Sequence, residues 1–471
     1  MRALAIDQGT TSTRAFAVDS SGIELVHSVE HRQYYPRPGW VEHDPEELLA
    51  SISACLDAAP AVDCAGIGNQ GESCLAWDAR TGKAVTPVIV WQDDRTAALC
   101  TRLKQKGHES LVRARAGLPL DPYFSASKLG WILRNVPEAA ELQRRGNLRL
   151  GTTDAFFRDR LTGVYATDPT TASRTSLMNL ATGAWDAELC ELFGVPVDAL
   201  PPILPTTGQL GKLPRGIELS ASIVDQQAAL YGHGARQPGD AKITFGTGAF
   251  ALALTGPLRE SQGLLPTIAW AEAGRAPMHA LDGGVYAASS AVNWARNLGL
   301  FEDWQEIDDF AQAPAVSRGL VFVPALSGLA SPHWDRAARG AWFGLSLDTT
   351  RQDMVQAVLE GIAFRTGEVI AEMKQQVEIR SPISLDGGMS RNPWFCQFVA
   401  DVLGRTVAVS GEPELTALGC AQLAARGAGG AIDLAPPSRR LEPRPFEAGW
   451  KARFAAARQC VQQFGAQGSA G

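Results

Sequence analysis

Residues 2–22 read RALAIDQGTTSTRAFAVDSSG, and residues 242–255 read KITFGTGAFALALT. In the first stretch two β-prone runs, Leu4 to Ile6 and Ala15 to Val18, flank a polar turn that contains Gly9. A hairpin with a hydroxyl-rich tip is expected there. In the second stretch, strand-like residues flank a turn built from Gly246, Thr247 and Gly248. One hairpin design used twice predicts a duplicated α/β architecture. The Pro/Gly-rich stretch Leu200 to Gly216 lies just before the second copy, and a division between Gly216 and Gly239 leaves two halves of similar size. We place the units at 1–232 and 233–471.

Composition narrows the function classes. The chain has 471 residues, 45% hydrophobic and 20% charged, which is the profile of a folded globular protein and not of a disordered or fibrous one. Lys and Arg number 43 against 50 Asp and Glu, a net charge of −7, and no basic block stands out. Nucleic acid and anionic membrane surfaces are therefore not expected as partners. The eight cysteines form no CxxC pair, and the histidines are scattered, so zinc and redox chemistry lack support. The first apolar run ends at Asp7, and no stretch approaches 18 apolar residues. A location in the reducing cytoplasm is expected.

Several segments read as scaffold. Asp44 precedes Pro45, with Glu47 three residues on, so Asp44 is expected to cap a helix and not to act in catalysis. From Thr350 to Val377 apolar residues recur at helical offsets, predicting a long helix with one buried face. A last amphipathic helix should bury Trp450, Phe454, Ala457, Val461 and Phe464, with GAQGSAG after it frayed.

The turn DQGTTSTR, Asp7 to Arg14, has the residues a phosphate loop needs. Gly9 permits a tight backbone, Thr10, Thr11 and Ser12 supply hydroxyl and amide donors, and Arg14 is a fixed positive charge. Asp7 at the strand end suits a Mg²⁺ ion held through water. An ordinary Asx-type hairpin turn would look the same; a second donor-rich tip at Thr247 favours two tips gripping a nucleotide's phosphates across a cleft. A third glycine site, LDGGMSRN from Leu385 to Asn392, follows a strand-like run, and its bare backbone at Gly387 and Gly388 would let an adenosine approach.

The chain resembles the FGGY carbohydrate kinases, and among them the glycerol kinases. The likeness is carried by Asp7 to Arg14, PRPGWVEHDP, GNQGES (Gly68 to Ser73), VWQDDRT (Val90 to Thr96), DPYFSASK (Asp121 to Lys128), ASRTSLMNL (Ala172 to Leu180), VDQQAAL (Val224 to Leu230), FGTGAF (Phe245 to Phe250) and SLDGGMSRN. It runs from Leu4 to about Ala425 and implies two actin-like, ribonuclease-H-like ATPase domains flanking a catalytic cleft. Carried over by position, it makes Asp225 the general base and Glu72, Tyr123, Asp225 and Gln226 the partners of the substrate hydroxyls. Trp91 and Phe250 become the apolar walls, although a core role for Trp91 is equally open from the residue alone. Thr10, Thr11, Ser12, Arg14, Thr247, Gly387, Gly388 and Asn392 become nucleotide contacts, and Asp7 the Mg²⁺ residue.

The activity implied is transfer of a phosphoryl group from ATP to a terminal hydroxyl of a small polyol, with glycerol the first choice. A four- or five-carbon polyol or ketose (erythritol, xylitol, xylulose) is the second, and a non-catalytic nucleotide-gated sensor of the same fold the third. The partners implied are a polyol or sugar and ATP, and a homodimer is compatible with them. One position departs from the glycerol kinase pattern: Gly71 stands where those enzymes carry arginine. A guanidinium is missing there, and space beside Glu72 is expected.

Overall fold

The computed structural model describes residues 1–468. Strands Ala3–Gln8 and Ser12–Asp19 form the first expected hairpin, in a register that sets Asp7 opposite Arg14. Gly22–Glu30 extends it as a meander. On its other edge Ala3–Gln8 pairs in parallel with Cys64–Asn69, which in turn pairs in parallel with Glu218–Val224. Thr207–Lys212 closes this six-stranded sheet. The strands Ala3–Gln8 and Cys64–Asn69 are buried on both faces, which is why they read as short continuous apolar runs.

The second sheet repeats the plan. Ala241–Phe245 forms an antiparallel hairpin with Ala249–Gly256 and runs parallel to Ile383–Asp386, which runs parallel to Val407–Ser410. Met278–Val285, Leu265–Trp270 and Ser438–Leu441 complete its seven strands. The duplication read from two hairpin tips thus extends to strand order. A smaller sheet of Glu42–His43, Val88–Ile89, Cys74–Asp78 and Leu148–Thr152 belongs to the first half.

The helix Pro45–Ala58 begins as expected: Asp44 accepts hydrogen bonds from the amides of Glu46 and Glu47 at 2.8 and 3.3 Å. The long helix spans Arg351–Lys374 and is capped by Thr350 with Asp353. It differs from expectation in burial. Every residue from Val355 to Thr366 is buried, because sheet, helices and loops enclose it on all sides in the main core of this half. The terminal helix runs Ala448–Gly468, so the GAQG portion of the segment expected to fray is helical, and 469–471 lie outside the described residues. Phe454, Ala457 and Val461 are buried as expected, whereas Phe464 is exposed although the neighbouring Gly465 packs against Ala337, so its side chain lies on the outer face of the helix.

One packing feature ties the halves together. The helix Leu415–Gly427, which follows the second half's strand Val407–Ser410, lies on the first half's sheet and against the helix Asp225–Gly232. Residues of both halves, among them Ala3, Phe16, Leu230, Trp270 and Leu418, share one apolar cluster around it. The two helices approach so closely that only glycine fits. A Cβ on Gly419 would stand 1.8 Å from the carbonyl oxygen of Ala228, and one on Gly232 would stand 2.1 Å from that of Leu415. A cut at 232/233 separates the sheets but passes through this packing.

Gly419→Ala should therefore lower unfolding stability by about 1 to 3 kcal/mol, although alanine is the better helix former. Gly449→Ala, where a methyl group meets nothing within 4 Å, should be neutral or gain up to about 1 kcal/mol. Urea unfolding midpoints of the two variants check the contrast.

Candidate active site

Buried charges from both halves act on one another at a cleft that residues of both halves line. Asp7 ends its strand inside the protein, and its Oδ2 pairs with Arg14 Nη2 at 2.7 Å. Burial raises the pKa of Asp7, and Arg14 opposes the rise. Arg14 also reaches Glu414 at 2.8 Å, so the first tip is tied to the start of the helix Leu415–Gly427. Gly9 closes the turn by donating to the Ser12 carbonyl at 3.0 Å. Thr10 Oγ1 accepts from the Trp91 indole at 3.1 Å, while Thr11 is exposed at the apex. Trp91 is thus no core tryptophan: its ring lies against Tyr123, with centroids 5.5 Å apart, and its nitrogen holds the tip.

Opposite stands the second tip. The carbonyls of Gly246 and Thr247 accept from the amides of Ser289 and of Ala288 and Ser290, which fixes the tip on the start of the helix Ser289–Asn297 and leaves the Thr247 side chain exposed. Gly248 allows this docking, since a Cβ there would lie 2.6 Å from the Val285 carbonyl oxygen. The two glycines of LDGGMSRN have different tasks. Gly387, at φ 89°, lets the chain pass over Phe245, whose carbonyl oxygen would stand 2.4 Å from a Cβ. At Gly388 a Cβ would meet nothing within 4 Å, and this residue opens onto two cavities. One, of about 490 Å³, is lined by Gln226, Lys242, Asp386 and Thr416; the other, of about 370 Å³, by Ser289, Trp304 and Asn392. Asn392 is also a helix cap, accepting from Phe395 N at 2.7 Å and donating to the Ile307 carbonyl at 2.6 Å.

Asp225 opens the helix Asp225–Gly232 directly after the strand Glu218–Val224. Its carboxyl faces the cleft, where burial first and the charges of Asp7 and Glu72 next push its pKa up to about 7. Gln226 beside it accepts through Oε1 from Lys242 Nζ at 2.8 Å. Glu72 is buried in the left-handed region at φ 58°, a strained conformation for glutamate, and its carbonyl accepts from Ser125 Oγ at 2.7 Å. Its carboxylate pairs with Arg174 Nε at 2.6 Å. Arg174 reaches Asp282 of the second sheet at 3.1 Å and lies over the rings of Tyr123 and Phe124. Tyr123, Phe124, Arg174, Phe250 and Asp282 enclose a cavity of about 80 Å³.

Four charged residues at this site escaped the sequence reading. Lys242 and Asp282 lie within strands, and a charge inside a β-prone run was the available signal. Arg174 lay within a quoted motif without a role. Lys128 is fully buried, and its ammonium donates to the carbonyls of Val90, Trp91 and Tyr123 at 2.9 to 3.1 Å, locking the two loops that carry the aromatic wall. At Gly71 the fold leaves room for a Cβ in ordinary contact. A Cβ at Gly71 would lie 3.4 Å from Val224 Cγ1, and Gly71 is absent from the wall of the small cavity.

Models of the FGGY family of carbohydrate kinases match residues 2–227 with its N-terminal domain and residues 241–428 with its C-terminal domain. The chain belongs to this family. As an FGGY kinase it is an enzyme that uses ATP to phosphorylate an alcohol group. It is similar to a glycerol kinase of Thermus brockianus, 43% identical over 486 residues that cover 98% of each chain. It is likewise similar to a glycerol kinase of Ectopseudomonas mendocina, 41% identical with 95% of this chain and 97% of that one covered. The crystal structure of Plasmodium falciparum glycerol kinase with ADP matches this FGGY chain with a TM-score of 0.90 at 31% identity, covering 98% of each. Among the described residues no helix is long and apolar enough to cross a membrane.

The raised pKa of Asp225 has a consequence for stability. The folded state holds this proton more tightly than the unfolded chain does, so the group's contribution falls as pH rises from about 4 to about 7 and stays low above that. Asp225→Asn removes a charge that is costly to bury and should raise the thermal midpoint at pH 8. At pH 4 the gain should vanish, because aspartate is then neutral in the fold; differential scanning calorimetry at both pH values reads it.

Proposed function

We propose that this FGGY kinase phosphorylates glycerol to sn-glycerol 3-phosphate. The observation that carries the proposal is the small cavity of about 80 Å³ walled by Tyr123, Phe124 and Phe250 and charged by Arg174 and Asp282. It is one-sixth the size of the 490 Å³ cavity on the nucleotide side. Such a mixed surface suits a compact polyol, with aromatic faces on CH groups and charged groups on hydroxyls. The glycerol kinase relatives favour the same substrate.

In this reading Asp225 accepts the proton of the attacking hydroxyl as that oxygen bonds to the γ-phosphorus of ATP and ADP leaves. A carboxylate whose pKa lies near 7 is poised for that transfer at neutral pH. Glu72, Tyr123 and Gln226 hold the hydroxyls, and Trp91 and Phe250 cover the carbons. Thr10, Thr11, Ser12, Arg14 and Thr247 hold the phosphates, and Gly387, Gly388 and Asn392 border the adenosine. Lys242, fully buried beside the carboxylates of Asp386 and Asp225, supplies positive charge at the nucleotide cavity. The donor set also fits Mg²⁺. Asp7 and Asp225 are close enough for the first charge to act on the second, and hard carboxylate oxygens side by side are what that ion compensates. Asp7 would hold it through water, and when bound it would draw charge from the phosphate oxygens. The units 1–232 and 233–471 are the two bodies whose closure we expect to complete the site.

The test is ADP release with Mg-ATP and glycerol, erythritol, xylitol or xylulose. Glycerol should show the highest kcat/KM, and a larger value for xylitol or xylulose would overturn the substrate assignment. Asp225→Asn should lower kcat for glycerol by about a hundred- to ten-thousandfold with nucleotide affinity nearly unchanged. A variant keeping a third of wild-type turnover would remove Asp225 from its role as base.

A further inference from the structure

Arg174 is a buried guanidinium with more donors than partners. It carries five N–H groups, and among the described residues its one hydrogen bond runs from Nε to Glu72 Oε1 at 2.6 Å. Nη1 lies 3.1 Å from Asp282 Oδ2, close enough for an ion pair, yet it is buried without a hydrogen bond of good geometry. The residue is 6% exposed, and it forms part of the wall of the small cavity with Tyr123, Phe250 and Asp282. Buried donors left unpaired are costly, and native proteins satisfy nearly all of them. Here the cavity that Arg174 lines is a place from which a further acceptor can come.

The surroundings keep the fork fixed. Glu72 holds one edge, the rings of Tyr123 and Phe124 lie under its plane at 5.9 and 5.5 Å, and Asp282 draws it toward the second sheet. The two carboxylates keep the guanidinium charged in spite of its burial. A charged planar donor, fixed on one side and open on the other, is suited to accepting oxygens of a neutral polyol. The chain has no side chain at Gly71 to compete for that position.

We propose that Arg174 is a specificity-determining residue that donates hydrogen bonds to the substrate hydroxyl most remote from the one phosphorylated. This rests on the glycerol reading above. It assigns the cation that reads the far end of the substrate to the segment Ala172 to Leu180, and it makes the Arg174–Asp282 pair a link through which an occupied polyol site feels the second half.

The experiment compares glycerol with 1,2-propanediol, which keeps a primary hydroxyl and its neighbour but lacks the far one. In Arg174→Gln, KM for glycerol should rise about ten- to a hundredfold, the range for a lost charge-assisted hydrogen bond. The kcat/KM for 1,2-propanediol should change little, so the preference between the two collapses by the same factor, while KM for Mg-ATP stays put. In Arg174→Ala, millimolar guanidinium should restore part of the preference. An equal loss for both substrates with no rescue would overturn the proposal, because a mere brace for Glu72 acts on both alike. Should Arg174→Gln not fold, Arg174→Lys keeps the charge beside Glu72 but not the fork. It should lose part of the preference, and a wild-type preference would overturn the proposal. If the wild type favours xylulose over glycerol, the glycerol reading fails on its own, and the ratio of xylulose to its deoxy analogue then decides the role of Arg174.

Discussion

Four carboxylates, Asp7, Glu72, Asp225 and Asp282, converge on one cleft, and the burial of their charge is the constraint around which the remainder of the site is built. Burial raises the pKa of each of them. Three cations stand among them: Arg14 at Asp7, Arg174 between Glu72 and Asp282, and Lys242 within the field of Asp225 and Asp282. Breaking one such pair leaves its partner charged in a poor solvent, so the side chains cannot drift independently. Among the described residues Asp225 has no ion-pair partner, and burial with the charges of Asp7 and Glu72 pushes its pKa up to about 7. The same electrostatics that hold the others in place leave this one able to exchange a proton.

Position is then transmitted through polar groups that do not touch the cavity. Lys128 spends its ammonium on three carbonyls and so fixes Trp91 and Tyr123 relative to one another. Ser73 accepts from the Trp91 amide at 3.1 Å, and the Trp91 indole holds Thr10 at the first tip. The polyol wall and the phosphate loop are thereby parts of one hydrogen-bonded unit. A shift at either is felt at the other without any side chain spanning the distance.

The two halves are joined by contacts of opposite character. On one side of the cleft the helix Leu415–Gly427 meets the helix Asp225–Gly232 backbone to backbone, an apolar contact that tolerates rotation but no added volume. The pair Arg14–Glu414 sits at the start of that helix, next to the first tip. Within the cleft, Arg174–Asp282 crosses between the sheets. A tight apolar pivot with ionic contacts at the opening is an arrangement suited to hinge closure.

The amino-acid sequence by itself determined the elements whose cause is local. Two hairpin tips, the cap at Asp44 and the helices with 3.6-residue periodicity follow from turn chemistry, capping and side-chain spacing, and all were legible. The repeated tip also disclosed the duplicated architecture, because a glycine-rich donor turn between β-prone runs is rare enough to notice twice. The residues named for the site, from Asp7 through Asp225 to Asn392, were legible through the resemblance of whole motifs to the FGGY kinases, since single polar residues of this kind also suit an ordinary turn or helix cap. What only the tertiary structure decided is which of these groups meet. Glu72 and Arg174 lie 102 residues apart, and Arg14 and Glu414 lie 400 apart; no local pattern joins them. Asp282, Lys242 and Lys128 had no role in the sequence reading, and the fold gives each a partner. Which group borders Gly71 was likewise a matter of the fold, which sets Val224 within ordinary contact of a Cβ there. The length of the Arg351–Lys374 helix was periodic and visible, but its enclosure was not, since burial on every side depends on what the rest of the chain packs around it.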